Sequence, residues 1–590
     1  MKSLLRRKPL WIVVFVIVVA GVAVLVTWSL RKERFPEGTL FVPRDVATLS
    51  EALRLAMPGA TIVLDARRGP YSGPVVLSTE GVTLTATRGR AALVGEDEPV
   101  VSLRADSTTA KHLDIRGASV GVAVEGTGCR VEDVRAFGGE VAVLLSGSRQ
   151  GMLERLTITG GRTGVAVLAS SGNVLRSLAI RGCDQTGIRL EKARANEVHD
   201  ASVDGAATGV SVEESEDNAF VGLSVTGASI VGYEVLGGRS NTLEASQIRS
   251  SRVGASLERT DESQIGHCRI ASTQDAGVSL VEAQRSRLER NAVSPAAGDG
   301  VRIAGGKENA VLDGRLSKCQ GAAVRIDASD ANLVARNEIT SGTIGISLVR
   351  SSENRLLDNT IVRSGTAGIL LLEARRNRLL DNRVEGATSG ITLVGAAGNS
   401  VLRSVVDHCT LSGVVLANHC QGNDLSENRI ARASAGLVAA TSSRDTIQGN
   451  EVSKCGAGIV LYAPGFGVRI AGNRLVGNDV GLQWQAALDE RRTALPLLGV
   501  SVVREPSGGT PIVVSNLFAR NRRLDVENST SELLYAGGNR WGDGEAAVSG
   551  AVHLPGSAWK GTVVIAAGRD LVDLVLGEAL AGVLSEAGFR

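Results

Sequence analysis

The sequence predicts an all-β fold, a right-handed parallel β-helix solenoid of about 17 coils of 22–23 residues, and three observations support it. A glycine followed by an apolar residue recurs at this period from Gly121 to Leu482, and such a fixed period is typical of solenoids. Each pair starts an alternation of apolar and polar residues, as in Ile346 to Leu348, which is the pattern of a strand with one buried face. Asparagines recur in two columns at the same period.

The asparagine columns divide each repeat into three short strands. One apolar pair follows the first asparagine, as in Asn354-Arg-Leu356, and another follows the second, as in Asn359-Thr-Ile361. Successive coils should lie about 4.8 Å apart, the spacing of paired strands. An Asn side chain at a bend can then bond to its copies in the coils above and below, and Asn tolerates a left-handed backbone. We interpret both columns as structural ladders without a catalytic role.

Composition limits the class of protein and its partners. The 590 residues are 43% hydrophobic, and 64 Lys and Arg against 62 Asp and Glu give a net charge of +2. This balance argues against nucleic acid as a partner, and 3% aromatic residues argue against long rows of stacked rings. Seven cysteines cannot all pair within one chain. Four of them come shortly before the glycine position and are expected to be small buried fillers: Cys183, Cys319, Cys409 and Cys455.

The N-terminus predicts a single-pass signal anchor. Residues 1–9 form a basic tail, and residues 10–30 contain a run of twenty uncharged residues from Trp11 to Leu30, enough to cross a bilayer core of about 30 Å. The basic flank should stay in the cytoplasm, which places residues 31–590 in the periplasm or outside a bacterial-type inner membrane. A cleaved signal peptide is the alternative, although its apolar part would be shorter and would end in small residues.

Five segments follow the anchor in the predicted domain order. Residues 36–120 hold an N-terminal cap and the first coils, and residues 121–484 hold the regular repeats. Thr48 and Glu51 form a capping box for an amphipathic helix that we expect to cover the first coil. Prolines and a charged run break the period at 485–515, which indicates an insertion loop. Irregular coils at 516–569 and a capping helix at 570–590 complete the chain.

Several motifs carry a resemblance to known families. The segments 48–53, 56–64 and 69–71 resemble the N-terminal cap of pectin-lyase-like proteins. The Asn-x-Ile and Gly-Ile-x-Leu patterns of the coils resemble the NosD family of periplasmic β-helix proteins and the carbohydrate-binding and sugar-hydrolase repeat class. Residues 538–543 are similar to the Asn-x-Trp ending of NosD-type repeats. The resemblance covers most of the chain after residue 36 and implies the β-helix fold.

One column of charged residues directly precedes the second asparagine column and contains the candidate site. Opposite charges alternate along most of it, as in an exposed ion-pair ladder, but Asp358 is followed by Asp381 one coil later. Two such carboxylates about 5 Å apart should raise one pKa and suit acid/base chemistry on a sugar or Ca²⁺ binding. Arg336 and Arg403 flank them and are candidates for holding the carboxylates of a uronic-acid polymer. The column is His267, Arg290, Asp313, Arg336, Asp358, Asp381, Arg403 and Glu427.

Tyr462 and Trp484 offer a second candidate site. They are 22 residues apart, so we expect them to stack in adjacent coils, where an exposed pair could hold a sugar and a buried pair would only support the loop at 485–515.

The two His-Cys pairs are the candidates for a metal site. The pairs His408-Cys409 and His419-Cys420 have side chains that suit Cu or Zn, and the NosD resemblance would favour copper. Eleven residues are half a coil, however, so the pairs should lie on opposite sides of the tube. We therefore predict no metal or other cofactor, with Ca²⁺ and Cu as the alternatives.

Three functional hypotheses follow. The first is a membrane-anchored extracytoplasmic protein that binds polysaccharide or another cell-envelope component. The second is a lyase, epimerase or hydrolase acting on an acidic polymer, which the resemblance allows, although the sequence shows no complete catalytic motif. The third is a NosD-like accessory protein in metal delivery or envelope assembly.

Overall fold

Each regular coil of the computed structural model contains three strands, and the strands pair in parallel with their copies in the next coil. The structure describes residues 38–96, 98–117, 119–486, 509–542, 544 and 546–554. We number the three sheets in the order in which a coil enters them, so the glycine position lies in the first sheet. The predicted right-handed parallel β-helix is confirmed.

The first sheet shows that the predicted number of coils was too low. It contributes one strand to each coil, and it contains 21 strands among the described residues. Two coils before residue 120 and two after residue 515 lack the glycine-apolar pair, so the period alone did not reveal them. The strands are Val75–Leu77, Val101–Leu103, Val120–Val124, Val141–Ser146, Thr163–Leu168, Thr186–Glu191, Thr208–Glu213, Val231–Leu236, Val253–Glu258, Ala276–Val281, Asp299–Ala304, Ala322–Asp327, Ile344–Val349, Ala367–Leu372, Ser389–Val394, Ser412–Ala417, Ala435–Ala440, Ala457–Tyr462, Val480–Gln485, Leu524–Asn528 and Val548–Ser549.

The second sheet follows the first asparagine of each coil. In four early coils one longer strand passes through both the second and the third sheet: Thr109–Gly117, Arg130–Phe137, Met152–Thr159 and Val174–Arg181. The strands that belong to the second sheet alone are Thr39–Val42, Thr61–Asp65, Thr83–Thr87, Glu197–His199, Ala219–Val221, Thr242–Glu244, Gln264–Gly266, Arg287–Glu289, Ala310–Leu312, Leu333–Ala335, Arg355–Leu357, Arg378–Leu380, Ser400–Leu402, Asp424–Ser426, Thr446–Gln448, Arg469–Ala471 and Ile512–Val514.

The third sheet follows the second asparagine. A separate parallel pair, Leu534–Tyr535 with Val552–His553, lies beyond the regular coils. The strands of the third sheet alone are Tyr71–Ser72, Ala91–Gly95, Ser202–Asp204, Ser224–Thr226, Gln247–Arg249, Arg269–Ala271, Ala292–Val293, Arg315–Ser317, Glu338–Thr340, Thr360–Val362, Arg383–Glu385, Val405–Asp407, Arg429–Ala431, Glu451–Ser453, Arg474–Val476, Leu517–Ala519 and Arg540–Trp541.

The repeated glycine is needed for close packing between the first and third sheets. A Cβ atom on Gly390 would lie 2.2 Å from Val406 Cγ1 and 2.4 Å from the Gly413 carbonyl oxygen. Gly413 has the same relation to Ile430, at 2.3 Å. Any side chain here would push the sheets apart, and a packed core tolerates such additions poorly. The glycine period therefore reports a contact across the core.

Asparagine ladders connect the coils, as predicted, but the left-handed backbone of each bend belongs to the residue before the asparagine and not to the asparagine itself. Asn359 Nδ2 donates to Asn382 Oδ1 at 3.0 Å and to the Val334 carbonyl oxygen at 2.9 Å, while its own Oδ1 accepts from Asn337. The same geometry joins neighbouring asparagines of two columns, which are buried except for the half-buried Asn539. Ser263 and Ser286 take the ladder position between Asn241 and Asn309, and Ser404 takes it between Asn382 and Asn428. The first column includes Asn173, Asn196, Asn218, Asn241, Asn309, Asn332, Asn354, Asn377, Asn399 and Asn423, and the second Asn337, Asn359, Asn382, Asn428, Asn450, Asn473, Asn516 and Asn539.

The predicted amphipathic helix near the N-terminus is present and packs against the first coils. Helix α1, Leu49–Leu55, begins at Thr48, whose side chain accepts a hydrogen bond from the Glu51 amide. Leu49 and Ala52 are buried in the same core as the first coils, whereas Leu55 is exposed. The predicted tail, transmembrane segment and C-terminal capping helix lie outside the described residues, as does most of the insertion loop. Among the helices of the described chain, none is long and apolar enough to span a membrane.

The outer face of the first sheet is also apolar and buried over several coils. Its outward-facing residues form a second cluster that is separate from the main core. The exposed surface of these coils therefore belongs mainly to the second and third sheets. The cluster includes Ala367, Leu370, Val394, Val415, Ala417, Val438 and Val460.

Candidate functional site

The charged column lies at the bend between the second and third sheets, and we call it the corner column. Each member has a left-handed backbone, with φ between 47° and 59°. The residue that follows takes the buried ladder position, as Asn359 does after Asp358. The bend thus turns one side chain outwards and the next into the core, which explains why a charged column accompanies a buried asparagine column. Its members are His267, Arg290, Asp313, Arg336, Asp358, Asp381, Arg403 and Glu427.

Two ion pairs organise the centre of the corner column. Arg336 donates to both oxygens of Asp313 at 2.8 Å, and Arg403 donates to those of Asp381 at 3.0 and 2.9 Å. These hydrogen bonds raise the pKa of both arginines and lower that of Asp313. The two arginines predicted to hold a polymer thus already have carboxylate partners. Asp358 lies between the two pairs, and its carboxylate has no hydrogen bond or ion pair with any described residue.

A strip of half-buried leucines runs beside the corner column. Leu357, Leu380 and Leu402 occupy the same position in three successive strands of the second sheet. We call these three residues the leucine row. Their side chains are partly exposed on the outer surface. A polar residue could occupy each of these positions, so the fold does not require leucine there. Charged residues of the corner column border the row on one side, so the surface combines an apolar strip with charges.

Two exposed arginines border the leucine row on its other side. Arg355 and Arg378 start the same strands as Leu357 and Leu380 and are directly opposite each other in the parallel register. Neither guanidinium group has a hydrogen bond or ion pair with another residue of the described chain. We call them the arginine pair. Neither arginine is among the predicted site residues, although their 23-residue spacing puts both at the same position of adjacent coils.

The predicted stacking of Tyr462 on Trp484 is wrong. The register pairs Trp484 with Leu461 and Tyr462 with Gln485, so the two rings are on opposite faces of the sheet. Trp484 is in the main core with 1% of its surface exposed, and Tyr462 is on the outer face with 8% exposed. Coils of 22 and of 23 residues both occur along the first sheet, and the coil that joins these two strands has 23. Neither ring is accessible enough to hold a sugar by stacking.

The two His-Cys pairs do not form a common site. Cys409 precedes the first-sheet strand Ser412–Ala417 and Cys420 follows it. Both thiols are buried, and burial raises the pKa of each to about 12, which disfavours the thiolate that a metal requires. Within the described ranges no three His, Cys, Asp or Glu side chains are grouped as a metal site. All seven cysteines are unpaired and buried, in line with the expected role of filling the core.

Comparison with family models covers most of the solenoid. The model described as "right handed beta helix region" matches residues 100–248 and 253–406, together more than half of the chain. The model described as "periplasmic copper-binding protein (NosD)" matches residues 362–546. A search of curated proteins finds no match.

Several solved structures are similar at low sequence identity. A mutant of the periplasmic alginate epimerase AlgG matches 59% of this chain and 74% of its own, with 12% identity and a TM-score of 0.25. The A-module of mannuronan C-5 epimerase AlgE6 from Azotobacter vinelandii matches 66% and 94%, with 12% identity and a TM-score of 0.31. Alginate lyase AlyF-OU02 matches 56% and 86%, with 14% identity and a TM-score of 0.31. Sequence identity this low gives no information about the activity of this chain.

Proposed function

Since the chain belongs to the right-handed β-helix family, we propose that it binds an acidic polysaccharide along its outer surface, with the polymer parallel to the solenoid axis. The observation that carries this proposal is the leucine row between the corner column and the arginine pair. Successive coils repeat similar surface positions about every 4.8 Å. A polymer of similar sugars can therefore make similar contacts with each coil.

The surface offers both kinds of contact that an acidic sugar needs. The apolar face of a sugar ring can cover Leu357, Leu380 and Leu402, which removes half-exposed apolar surface from water. The open carboxylate of Asp358 can accept hydrogen bonds from sugar hydroxyl groups. Arg336 and Arg403, although paired, keep guanidinium N–H groups beyond those used by Asp313 and Asp381 for polar contacts with the polymer.

The proposal includes an extracytoplasmic location. The solenoid would stand outside a bacterial-type inner membrane, held by residues 10–30, where envelope polysaccharides are available. The twenty uncharged residues from Trp11 to Leu30 support the anchor, and the partial match to a periplasmic family supports the compartment. Lyase, epimerase or hydrolase activity on the bound polymer, and an accessory role in metal delivery, remain predictions from the resemblance.

The test changes the leucine row without changing the fold. Leu380→Glu adds a negative charge to the centre of the strip and should weaken binding of an acidic polysaccharide, such as polyuronate, at least tenfold. The same strand position holds Glu244 and Glu289 in other coils, so the solenoid accepts a glutamate there. The measurement is a calorimetric titration of the full-length protein with polyuronate and with a neutral glucan.

Val221→Glu is the matched control because Val221 occupies the same, half-exposed position in a coil far from the leucine row. Its affinity should equal that of the unchanged protein. The Leu380 variant should keep the thermal midpoint, and the Val221 variant should lose a few degrees at most, because its glutamate lies opposite Glu244. Equal affinities for the Leu380 and Val221 variants, or equal binding of neutral and acidic polymers, would refute the proposed surface.

A further inference from the structure

We propose that Arg355 and Arg378 form a two-point anion site that holds two successive anionic groups of the polymer, one for each coil. This inference rests on the proposed function and specifies its ligand as a linear polysaccharide that carries an anionic group on consecutive sugars. Both side chains are exposed and directly opposite each other on neighbouring parallel strands. Like charges in this position destabilise a sheet, so their juxtaposition requires an explanation.

Other in-register pairs of like charge in the described strands are neutralised by an opposite charge. Arg155 contacts both Glu132 and Glu154. Similarly, Arg189 contacts Glu191 at 2.9 Å and Glu213 at 3.1 Å.

The remaining two pairs have separate counter-ions. Arg302 and Arg325 are in register on the first sheet, and each lies within 4 Å of an aspartate, Asp299 for the former and Asp327 for the latter. Glu385 and Asp407 are in register on the third sheet and are paired with Arg383 and Arg432, respectively.

The arginine pair departs from this rule. No carboxylate of the described chain lies within 4 Å of either guanidinium group, and the nearest corner-column acid in sequence, Asp358, makes no ion pair. The surface therefore has two adjacent positive charges without a carboxylate partner among the described residues. Guanidinium groups bind carboxylate and sulfate oxygens through paired N–H donors, which makes an anionic polymer a fitting partner.

The spacing of the two charges fits a polymer better than two separate small anions. Adjacent coils lie about 4.8 Å apart, close to the length that one pyranose adds to an extended chain. Leu357 and Leu380 follow the two arginines at the same strand positions, so each sugar would meet one arginine and one leucine. Carboxylate and sulfate share the recognition chemistry, and the choice between them is left to the experiment.

The test is the double variant Arg355→Gln/Arg378→Gln in the full-length protein. Charge-assisted hydrogen bonds of about 1.5 kcal/mol or more correspond to at least tenfold in affinity for each arginine, so we expect a loss of about a hundredfold for the acidic polymer. Parallel titrations with polyuronate and with a sulfated glycan identify the anionic group. The thermal midpoint should stay the same or rise, because repulsion between the two arginines is removed.

Arg302→Gln/Arg325→Gln is the matched control, since it removes two in-register arginines that have carboxylate partners. It should leave affinity within about threefold of the unchanged protein. If the unchanged protein binds polyuronate and the Arg355/Arg378 variant binds equally well, the anion site is refuted while the proposed function survives. If the unchanged protein binds neither acidic polymer, the proposed function itself fails.

Discussion

At the scale of single residues, the bend between the second and third sheets places an exposed residue directly before a buried one. Asp358 has a left-handed backbone and an exposed side chain. Asn359 is fully buried, and its side chain joins three coils through hydrogen bonds. Thr360 starts the next strand with a half-exposed side chain. Function and stability can therefore be separated between residues that are one position apart.

We expect Asn359→Ala to lower the free energy of unfolding by about 1–3 kcal/mol, because it leaves buried ladder groups without partners. Thr360→Ala should change it by less than about 0.5 kcal/mol, as exposed substitutions usually do. Urea denaturation followed by circular dichroism measures both. Equal midpoints for the two variants would contradict the ladder register.

At the scale of elements, the first asparagine ladder ends in a buried acid. Asp445 takes the position after Asn423 and accepts hydrogen bonds from its backbone and side-chain amides at 2.7 and 3.0 Å. Its other oxygen, Oδ2, is buried without a hydrogen-bond partner among the described residues. The preceding ladder member, Asn423, donates from its Nδ2 to the Ala396 carbonyl oxygen, a hydrogen bond that an ionised carboxylate cannot donate. Burial raises the pKa of Asp445 above its usual value and outweighs the polar contacts from Asn423 and Ser442, which lower it.

Asp445→Asn should therefore stabilise the protein at neutral pH, by about 1–3 kcal/mol. The raised pKa means that the folded state binds this proton more tightly than the unfolded chain. The contribution is fully favourable below the unfolded pKa near 3.9 and is lost as pH rises through the folded value. Asparagine does not ionise, so the variant should not lose stability in this way. The difference in unfolding free energy between the variant and the unchanged protein, measured in urea, should therefore be larger at pH 8 than at pH 4. A variant that is less stable than the unchanged protein at pH 8 would refute this account.

Repeated elements could be predicted from sequence where one physical requirement recurs in every coil. The glycines mark close packing on the third sheet, as at Gly390, and the asparagines mark buried bends. The length of the repeat and the order of its strands could therefore both be predicted from the sequence.

The terminal coils have other residues at the glycine position, so the predicted number of coils was too low. The partners of Arg336 and Arg403 depend on rotamers within the corner column, and side-chain direction at Tyr462 depends on local coil length. Neither follows from an average period.

At the scale of the whole molecule, one repeated geometry accounts for the candidate surface. The 21 strands of the first sheet, at about 4.8 Å each, give a solenoid on the order of 100 Å long. The leucine row and the central corner column occupy four adjacent coils of it, from Arg336 to Arg403. A ligand that uses this surface must be extended along the axis, because the contacts repeat in that direction.

The most direct test of binding along the axis is the affinity of the full-length protein for uronate oligomers of increasing length, measured by calorimetry. We expect affinity to rise with each added sugar until the four coils from Arg336 to Arg403 are covered, at about four or five sugars given the strand spacing, and then to level off. Neutral oligomers of the same lengths should bind at least tenfold more weakly. Affinity for uronate oligomers that is independent of length, or no binding at any length, would contradict a polymer site along the solenoid.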